Sequence, residues 1–367
     1  MGSSKLYRIV VLPSAVFLSV IFGGSYGSGQ EMVQFVTSAG PTGGYYSLLV
    51  VALTWGLLLS TSFELARRFS VHEYSGFMKV LLRRGAVVYE IAILLAMLLV
   101  LAICASGAGS VVTEHFGISV WIGSLGLLIV AALLNYFGRS VVEQTMIASI
   151  VVLLTLLIML CLTALDVPRS IDPVSGIDTT NPILSGGQYA IANGGFIPLL
   201  LYCGRGVRST AESFTAGFIA AGVTGIPGLL LHTSLLSAYP QVLQETLPTY
   251  SVITQLMSPA FLSVYVMVLF VMITQTAVGM LQGLVDRTDA YWVSKRGAPL
   301  SNLSHAALAA GMIGASMLLS TVGFVALIAQ GYSLLVAIFT VIFIAPLFTY
   351  GAYLIVTNKQ KLTRTTS

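Results

Sequence analysis

Apolar runs near the length of about 20 residues that a membrane-spanning helix requires follow one another along this chain, with short polar stretches between them. Of its 367 residues 56% are hydrophobic and 8% charged, against about 25% charged in a soluble domain. That much apolar surface exceeds what a water-soluble core can hold, so the chain is an integral membrane protein in contact with lipid. A single polytopic domain, 1–367, is expected. The small basic excess is spread over loops, which argues against nucleic-acid binding.

Ten helices are expected, at about 7–38, 44–66, 84–108, 117–137, 140–165, 183–204, 214–238, 260–286, 303–326 and 332–356. The charges test this count. Ten spans place both termini on one side with the connections after the second, fourth, sixth and eighth helices. Those segments hold Lys5, Arg8, Arg67, Arg68, Lys79, Arg83, Arg84, Arg139, Arg205, Arg208, Arg287, Lys295, Arg296, Lys359, Lys361 and Arg364. That is sixteen of the seventeen Lys and Arg residues; Arg169 alone falls opposite, in the connection 166–182 with Asp166, Asp172 and Asp178. The positive-inside rule then makes both termini cytoplasmic. Lys5 and Arg8 before an apolar run also resemble a secretory signal peptide. Retention of this segment is expected, because removing it leaves nine spans and poorer charge sorting.

The stretch "FGGSYGSGQE", Phe22 to Glu31, interrupts the first apolar run. Ile9 to Phe22 is 14 residues, about 21 Å of helix, too short for a hydrocarbon layer of about 30 Å. Gly23, Gly24, Gly27 and Gly29 favour unwinding before the helix resumes at Glu31. Unwound backbone at that depth has to satisfy its N–H and C=O groups at a cavity, an ion or a polar ligand. The sixth expected span, "GGQYAIANGGFIPLLLY", carries Asn193, Gly194 and Gly195 near its middle. Each interruption opens a set of five helices, 7–165 and 183–356, so the halves form an inverted repeat, a pattern that marks a midplane binding site in secondary transporters. Close helix packing is the alternative explanation of Gly194 and Gly195.

Ten helices as five plus five, with discontinuous first and sixth spans, resemble the LeuT-type fold of the amino acid-polyamine-organocation (APC) superfamily. "GSGQEMVQF" and "QYAIANGG" resemble the corresponding stretches of the YkvI-like amino-acid permeases. The resemblance implies a transporter in a bacterial cytoplasmic membrane. It also implies carbonyls of Gly23 and Tyr26 at a sodium site nearest the eighth helix.

Glu31 is the sharpest chemical candidate, because an ionisable group inside a membrane helix is expensive. It can pair with a substrate ammonium, carry a proton, or cap the resumed helix. Candidate substrate contacts are Gly24, Ser25, Tyr26, Gly27, Gln30, Glu31, Tyr189, Asn193 and Gly194. In "MITQTAVG" of the eighth span, Thr274, Gln275 and Thr276 offer hard oxygen ligands for sodium. The two threonines lie about 200° apart on a helix, so both cannot face one ion. Each can instead bond its own helix backbone.

Glu90 and Glu143 lie near Arg83, Arg84 and Arg139 and suit interfacial ion pairs or an inner gate, with Glu90 a second proton candidate. His72, His115, His232 and His305 have no metal-ligand spacing, and Cys104, Cys161 and Cys203 read as small buried hydrophobes. No enzymatic motif appears. The expected function is alternating-access transport of a small amino acid or related amine, coupled to a cation with sodium favoured over the proton, and with no cofactor beyond that ion. A ligand-binding sensor subunit of the same fold is the alternative. A channel fits poorly because no ring of charges or filter loop is present.

Overall fold

The computed structural model describes residues 5–21, 23–137, 139–167, 179–297 and 302–357. Among them every regular element is helical. Six helices are long and apolar enough to cross a membrane: Pro41–Phe69, Tyr74–Phe116, Ala148–Leu165, Thr210–Ala238, Pro259–Val293 and Phe324–Thr357. Three shorter apolar helices, Tyr7–Ile21, Val120–Asn135 and Ala307–Ser320, join them. Of the expected outer connection, Arg169, Asp172 and Asp178 lie outside the described residues.

In chain order the α-helices are α1 (Leu12–Ile21), α2 (Gly24–Ser28), α3 (Gln30–Phe35), α4 (Pro41–Phe69), α5 (Tyr74–Leu82), α6 (Ala86–Phe116) and α7 (Val120–Phe137). They continue as α8 (Arg139–Leu165), α9 (Pro182–Gly194), α10 (Thr210–Leu235), α11 (Pro248–Leu256), α12 (Pro259–Arg296), α13 (Asn302–Ser320) and α14 (Phe324–Phe339). Local chemistry sets several starts. The Asn181 side chain accepts from the amides of Ile183 and Leu184 with Pro182 at the first helical position of α9. Ser258 and Pro259 open α12 in the same way, the Ser258 hydroxyl accepting from the Phe261 amide.

Three helices are among those that depart from the expected pattern of spans. The helices α5 and α11 have nine residues each, too few to cross a bilayer, so a count of spans passes over them. The helix α12 runs to Arg296 where the apolar signal ends at 286. Asp286, Arg287 and Asp289 end the apolar run but not the helix, since a helix emerging from the lipid tolerates charge.

The helix α4 is the spine of the bundle, because small residues let α9 and α10 approach its backbone. A Cβ on Gly186 would stand 2.5 Å from the Ser47 carbonyl oxygen, and one on Gly217 2.3 Å from Ser60 Oγ and 2.5 Å from its backbone nitrogen. Ser60 Oγ donates to the Phe214 carbonyl at 3.4 Å, and the Trp55 indole N–H of α4 donates to the Ala190 carbonyl of α9 at 3.1 Å. Large side chains fill the remaining space: Phe17, Trp55, Phe63, Tyr89, Tyr189, Tyr265 and Phe339 are all buried.

The Gly217 contact yields a test. Gly217→Ala places a methyl group against the Ser60 backbone, which cannot turn aside. A loss of about 1–3 kcal/mol is expected, the ordinary cost of overpacking, read as a lower unfolding midpoint in detergent. Gly222→Ala on the same helix, where a Cβ meets open space, should leave the midpoint within the range of a neutral substitution.

Candidate functional site

The first interruption has two parts. The helix α1 ends at Ile21, and Gly23 adopts an extended conformation (φ −91°, ψ −173°) that opens the five-residue helix α2. Gly29 then takes φ +85°, the left-handed region where only glycine is at ease, and α3 follows from Gln30. The Gly23 carbonyl accepts from the Gly27 amide at 3.1 Å, and the Tyr26 carbonyl from the Gly29 amide at 3.0 Å. A third donor, the Tyr265 hydroxyl of α12, reaches the Gly27 carbonyl at 2.9 Å. Much of the interrupted backbone is thus satisfied by protein, as burial requires.

The second interruption falls where α9 ends at Gly194 and the chain passes into the 3₁₀ segment Ile197–Gly206. The Tyr89 hydroxyl of α6 donates to the Gly195 carbonyl at 3.1 Å. A Cβ on Gly195 would stand 2.0 Å from the Phe339 ring, and one on Gly194 2.7 Å from Leu58. Gly194 and Gly195 therefore sit where the α-helix ends and permit close packing there.

Glu31 lies one residue into α3 and is 2% exposed. The Tyr189 hydroxyl of α9 donates to one carboxylate oxygen at 2.9 Å and the Tyr332 hydroxyl of α14 to the other at 2.6 Å. Both phenol rings stack on Phe35, with centroids at 5.7 and 5.5 Å, so the donors are braced from behind. With both oxygens accepting, the arrangement suits an ionised carboxylate. Trp55 packs against Tyr189 and, edge-on, against Phe17 of α1. Glu31 thereby ties the resumed first helix to α9 and α14.

Beside the carboxylate is a cavity of about 40 Å³, its polar lining formed by Gly23, Glu31, Asn193, Thr276 and Tyr332. Val20, Val100, Phe196 and Met280 are among the apolar walls. The Asn193 amide N–H donates to the Tyr189 carbonyl at 3.1 Å, which leaves its oxygen for a ligand. Thr276 Oγ1 stands 3.1 Å from the place a Gly23 Cβ would occupy. Its hydroxyl donates to the Met272 carbonyl at 3.0 Å, as that of Thr274 does to Phe270 at 2.8 Å. Of the eighth-span candidates, Thr276 therefore reaches the cavity, while Gln275 is held away from it by α8: it accepts from Ser149 at 2.9 Å and donates to Thr145 at 3.1 Å.

The remaining candidates scatter. Tyr26 is buried with its hydroxyl against Gly228 of α10 rather than in the cavity. Gln30 is buried and its Oε1 has no hydrogen-bond partner. Gly24 begins α2, and the side chain of Ser25 lies outside the described residues, as do those of Glu143 and His305. Glu90 is paired, but with Arg287 of α12 at 3.1 Å and the Tyr74 hydroxyl at 3.2 Å rather than with Arg83 or Arg84. The extension of α12 beyond 286 brings Arg287 there. His232 is buried between the Thr37 hydroxyl (3.0 Å) and the Pro41 carbonyl (3.1 Å) in a niche that the missing Cβ of Gly44 leaves open. His115 contacts the Tyr250 hydroxyl of α11 at 3.3 Å. Burial, aided by the Arg205 charge, pushes the His72 imidazole below its ordinary range.

The sequence carries no signal for the roles of Tyr332 and Tyr89. Each is a tyrosine in an apolar helix, a common occurrence that becomes informative only when its partner is known. Glu64, near the charged end of α4, is a further residue whose role only the packing reveals. It is 1% exposed and accepts from Arg67, Arg68, Thr210 and Ser213 at 2.5–3.0 Å, joining α4 to α10. Arg68 in turn donates to the Ile355 carbonyl at 2.6 Å.

No family model matches the sequence, and no curated protein matches it by sequence. Solved structures do match. A point mutant of the manganese transporter of Eremococcus coleocola is 14% identical, with a TM-score of 0.50 over 93% of this chain and 86% of that one. A Na⁺-coupled sialic acid symporter in a substrate-bound outward-open state is 11% identical, with a TM-score of 0.50 over 94% of this chain and 86% of that one. The chain shares their fold. It is a helical membrane protein built like these transporters, and at such identities the likeness reaches no further than architecture.

The carboxylate clamp is testable by a mutant cycle. Tyr332→Phe and Tyr189→Phe each remove one hydrogen bond to a charged acceptor, which is expected to cost about 1.5–3 kcal/mol. In a Glu31→Gln background the same changes should cost clearly less, because the charged acceptor is gone. Equal costs in both backgrounds, read from unfolding midpoints in detergent, would show that the tyrosines matter through packing alone.

Proposed function

We propose that this protein is a secondary active transporter of a small amino acid or related amine, working by alternating access and coupled to a cation, with sodium favoured over the proton. The observation that carries the proposal is the meeting of Glu31, Gly23, Asn193 and Thr276 around one cavity between the two interrupted helices. A carboxylate there suits an ammonium group, and a carbonyl, an amide oxygen and a hydroxyl suit a hard monovalent cation. "GSGQEMVQF" and "QYAIANGG" coincide with the two interruptions, which supports a YkvI-like permease of the APC superfamily. The same coincidence supports the five-plus-five inverted repeat, 7–165 and 183–356, and the sorting of Lys and Arg residues supports cytoplasmic termini.

The cavity volume bears on mechanism. About 40 Å³ holds a few water molecules or an ion, whereas organic ligands occupy pockets of roughly 300–1,000 Å³. Binding an amino acid therefore requires α3 or α9 to move relative to α6 and α14. The contacts that would open are the Glu31 bonds to Tyr189 and Tyr332, a switch an incoming ammonium can operate by competing for the carboxylate.

A metal-ion cargo is the second reading. The small cavity with its oxygen lining favours it, and the name of the Eremococcus neighbour is in keeping with it. Against it, among the described residues no group of three or more His, Cys, Asp or Glu side chains is arranged to hold a metal.

Flux into proteoliposomes separates these readings. Uptake of an amino acid or amine driven by an imposed sodium gradient is expected, with Glu31→Gln lowering it at least tenfold. Drive by a pH gradient alone, abolished in Glu31→Gln, would move coupling to the proton. Uptake of Mn²⁺ without any amine would establish the metal reading, and ligand binding without flux would mark a sensor subunit.

A further inference from the structure

The end of the bundle that carries the Lys and Arg residues holds a group of cations for which transport has no use. The helix α5 buries Phe77, Met78 and Leu81 against the protein and turns Lys79 outward. The single turn Arg83–Gly85 follows and leads into α6, with Arg83 and Arg84 both exposed. Among the described residues, Lys79 and Arg84 have no ion-pair partner. Arg83 is held in place: its guanidinium donates to the Tyr350 hydroxyl at 2.9 Å and lies 5.4 Å from that ring, which stacks on Tyr353. Its backbone has φ +54°, a conformation uncommon for a residue with a side chain.

An apolar strip begins one turn away. Val88, Ile91 and Leu95 are 54, 56 and 53% exposed, and from Arg84 they follow at intervals of four, three and four residues, one face of a helix. Beyond the Arg83–Tyr350 contact, Tyr353 and Val356 are 61 and 62% exposed. Cations fixed at the edge of an apolar strip match an amphiphile with an anionic head.

We propose that this corner binds an anionic phospholipid, its phosphate held by Lys79, Arg83 and Arg84 and its acyl chains lying along Val88, Ile91 and Leu95. A net negative head is selected because Lys79, Arg83 and Arg84 are exposed and none of them has a carboxylate partner among the described residues, whereas a zwitterionic lipid brings its own ammonium. The buried face of α5 and the tyrosine under Arg83 position the cations in advance, which lowers the ordering cost of binding. The proposal is independent of the cargo.

Native mass spectrometry of the whole 367-residue chain in neutral detergent tests it, with phosphatidylglycerol and phosphatidylcholine added in equal amounts. Phosphatidylglycerol should be retained in preference, and Lys79→Gln with Arg84→Gln should weaken its retention roughly tenfold or more. Arg84→Lys should keep most of the binding, and Arg205→Gln, exposed at the same end but outside the corner, should keep all of it. Equal retention of the two lipids, full retention by the double variant, or equal loss in Arg205→Gln would overturn the proposal. So would a thermal shift from glycerol phosphate as large as that from the lipid, which would assign the cations to a soluble anion. If the double variant does not fold, Arg84→Gln alone carries the same comparison.

Discussion

A carboxylate taken out of water inside a membrane protein has to be met by donors, and Glu31 is met by two phenols from helices far away in sequence. Tyr189 and Tyr332 are separated from it by 158 and 301 residues. Satisfying one charge thus fixes the relative positions of the resumed first helix, α9 and α14. The stacking of both rings on Phe35 makes the arrangement a braced unit rather than two independent hydrogen bonds. Because the cavity lies against this unit, anything that enters it and engages Glu31 acts directly on the packing of three helices.

The glycines serve the same end by a different route. Gly29 permits a turn that no other residue adopts easily, and Gly195 allows the Phe339 ring to lie on the backbone at the second break. Elsewhere Gly186 and Gly217 bring α9 and α10 onto α4, where lipid offers no hydrophobic force to drive helices together and close van der Waals contact has to suffice. Interruption and close packing are two uses of one property, the absence of a Cβ.

Apart from Glu31, several of the charged side chains among the described residues fall into groups with different physical meaning. Glu64 with Arg67 and Arg68, and Glu90 with Arg287, are part-buried pairs whose hydrogen bonds join helices. Lys5 with Glu212, and Arg8 with the Gly206 carbonyl, hold the first helix to the start of α10 and the end of the 3₁₀ segment. These ties would have to yield if the first helix moves, so the charged end restrains such motion. Lys79 and Arg84 belong to neither group and face outward.

The membrane class, the ends of most long helices, both interruptions and the position of Glu31 at the first of them were legible in the order of residues, because each follows from local rules: apolar length, charge exclusion and glycine in a helix. The short helices α5 and α11 were not, since nine residues carry no spanning signal. Nor was the choice among Thr274, Gln275 and Thr276. Helical spacing showed that the threonines diverge, but only the packing of α12 against α8 and the first helix decided that Thr276 reaches the cavity and Gln275 does not. The roles of Tyr332, Tyr89 and Arg287 depended entirely on tertiary structure. A sequence determines where a polar group lies along its helix, while its partner is set by which helix faces meet across the bundle.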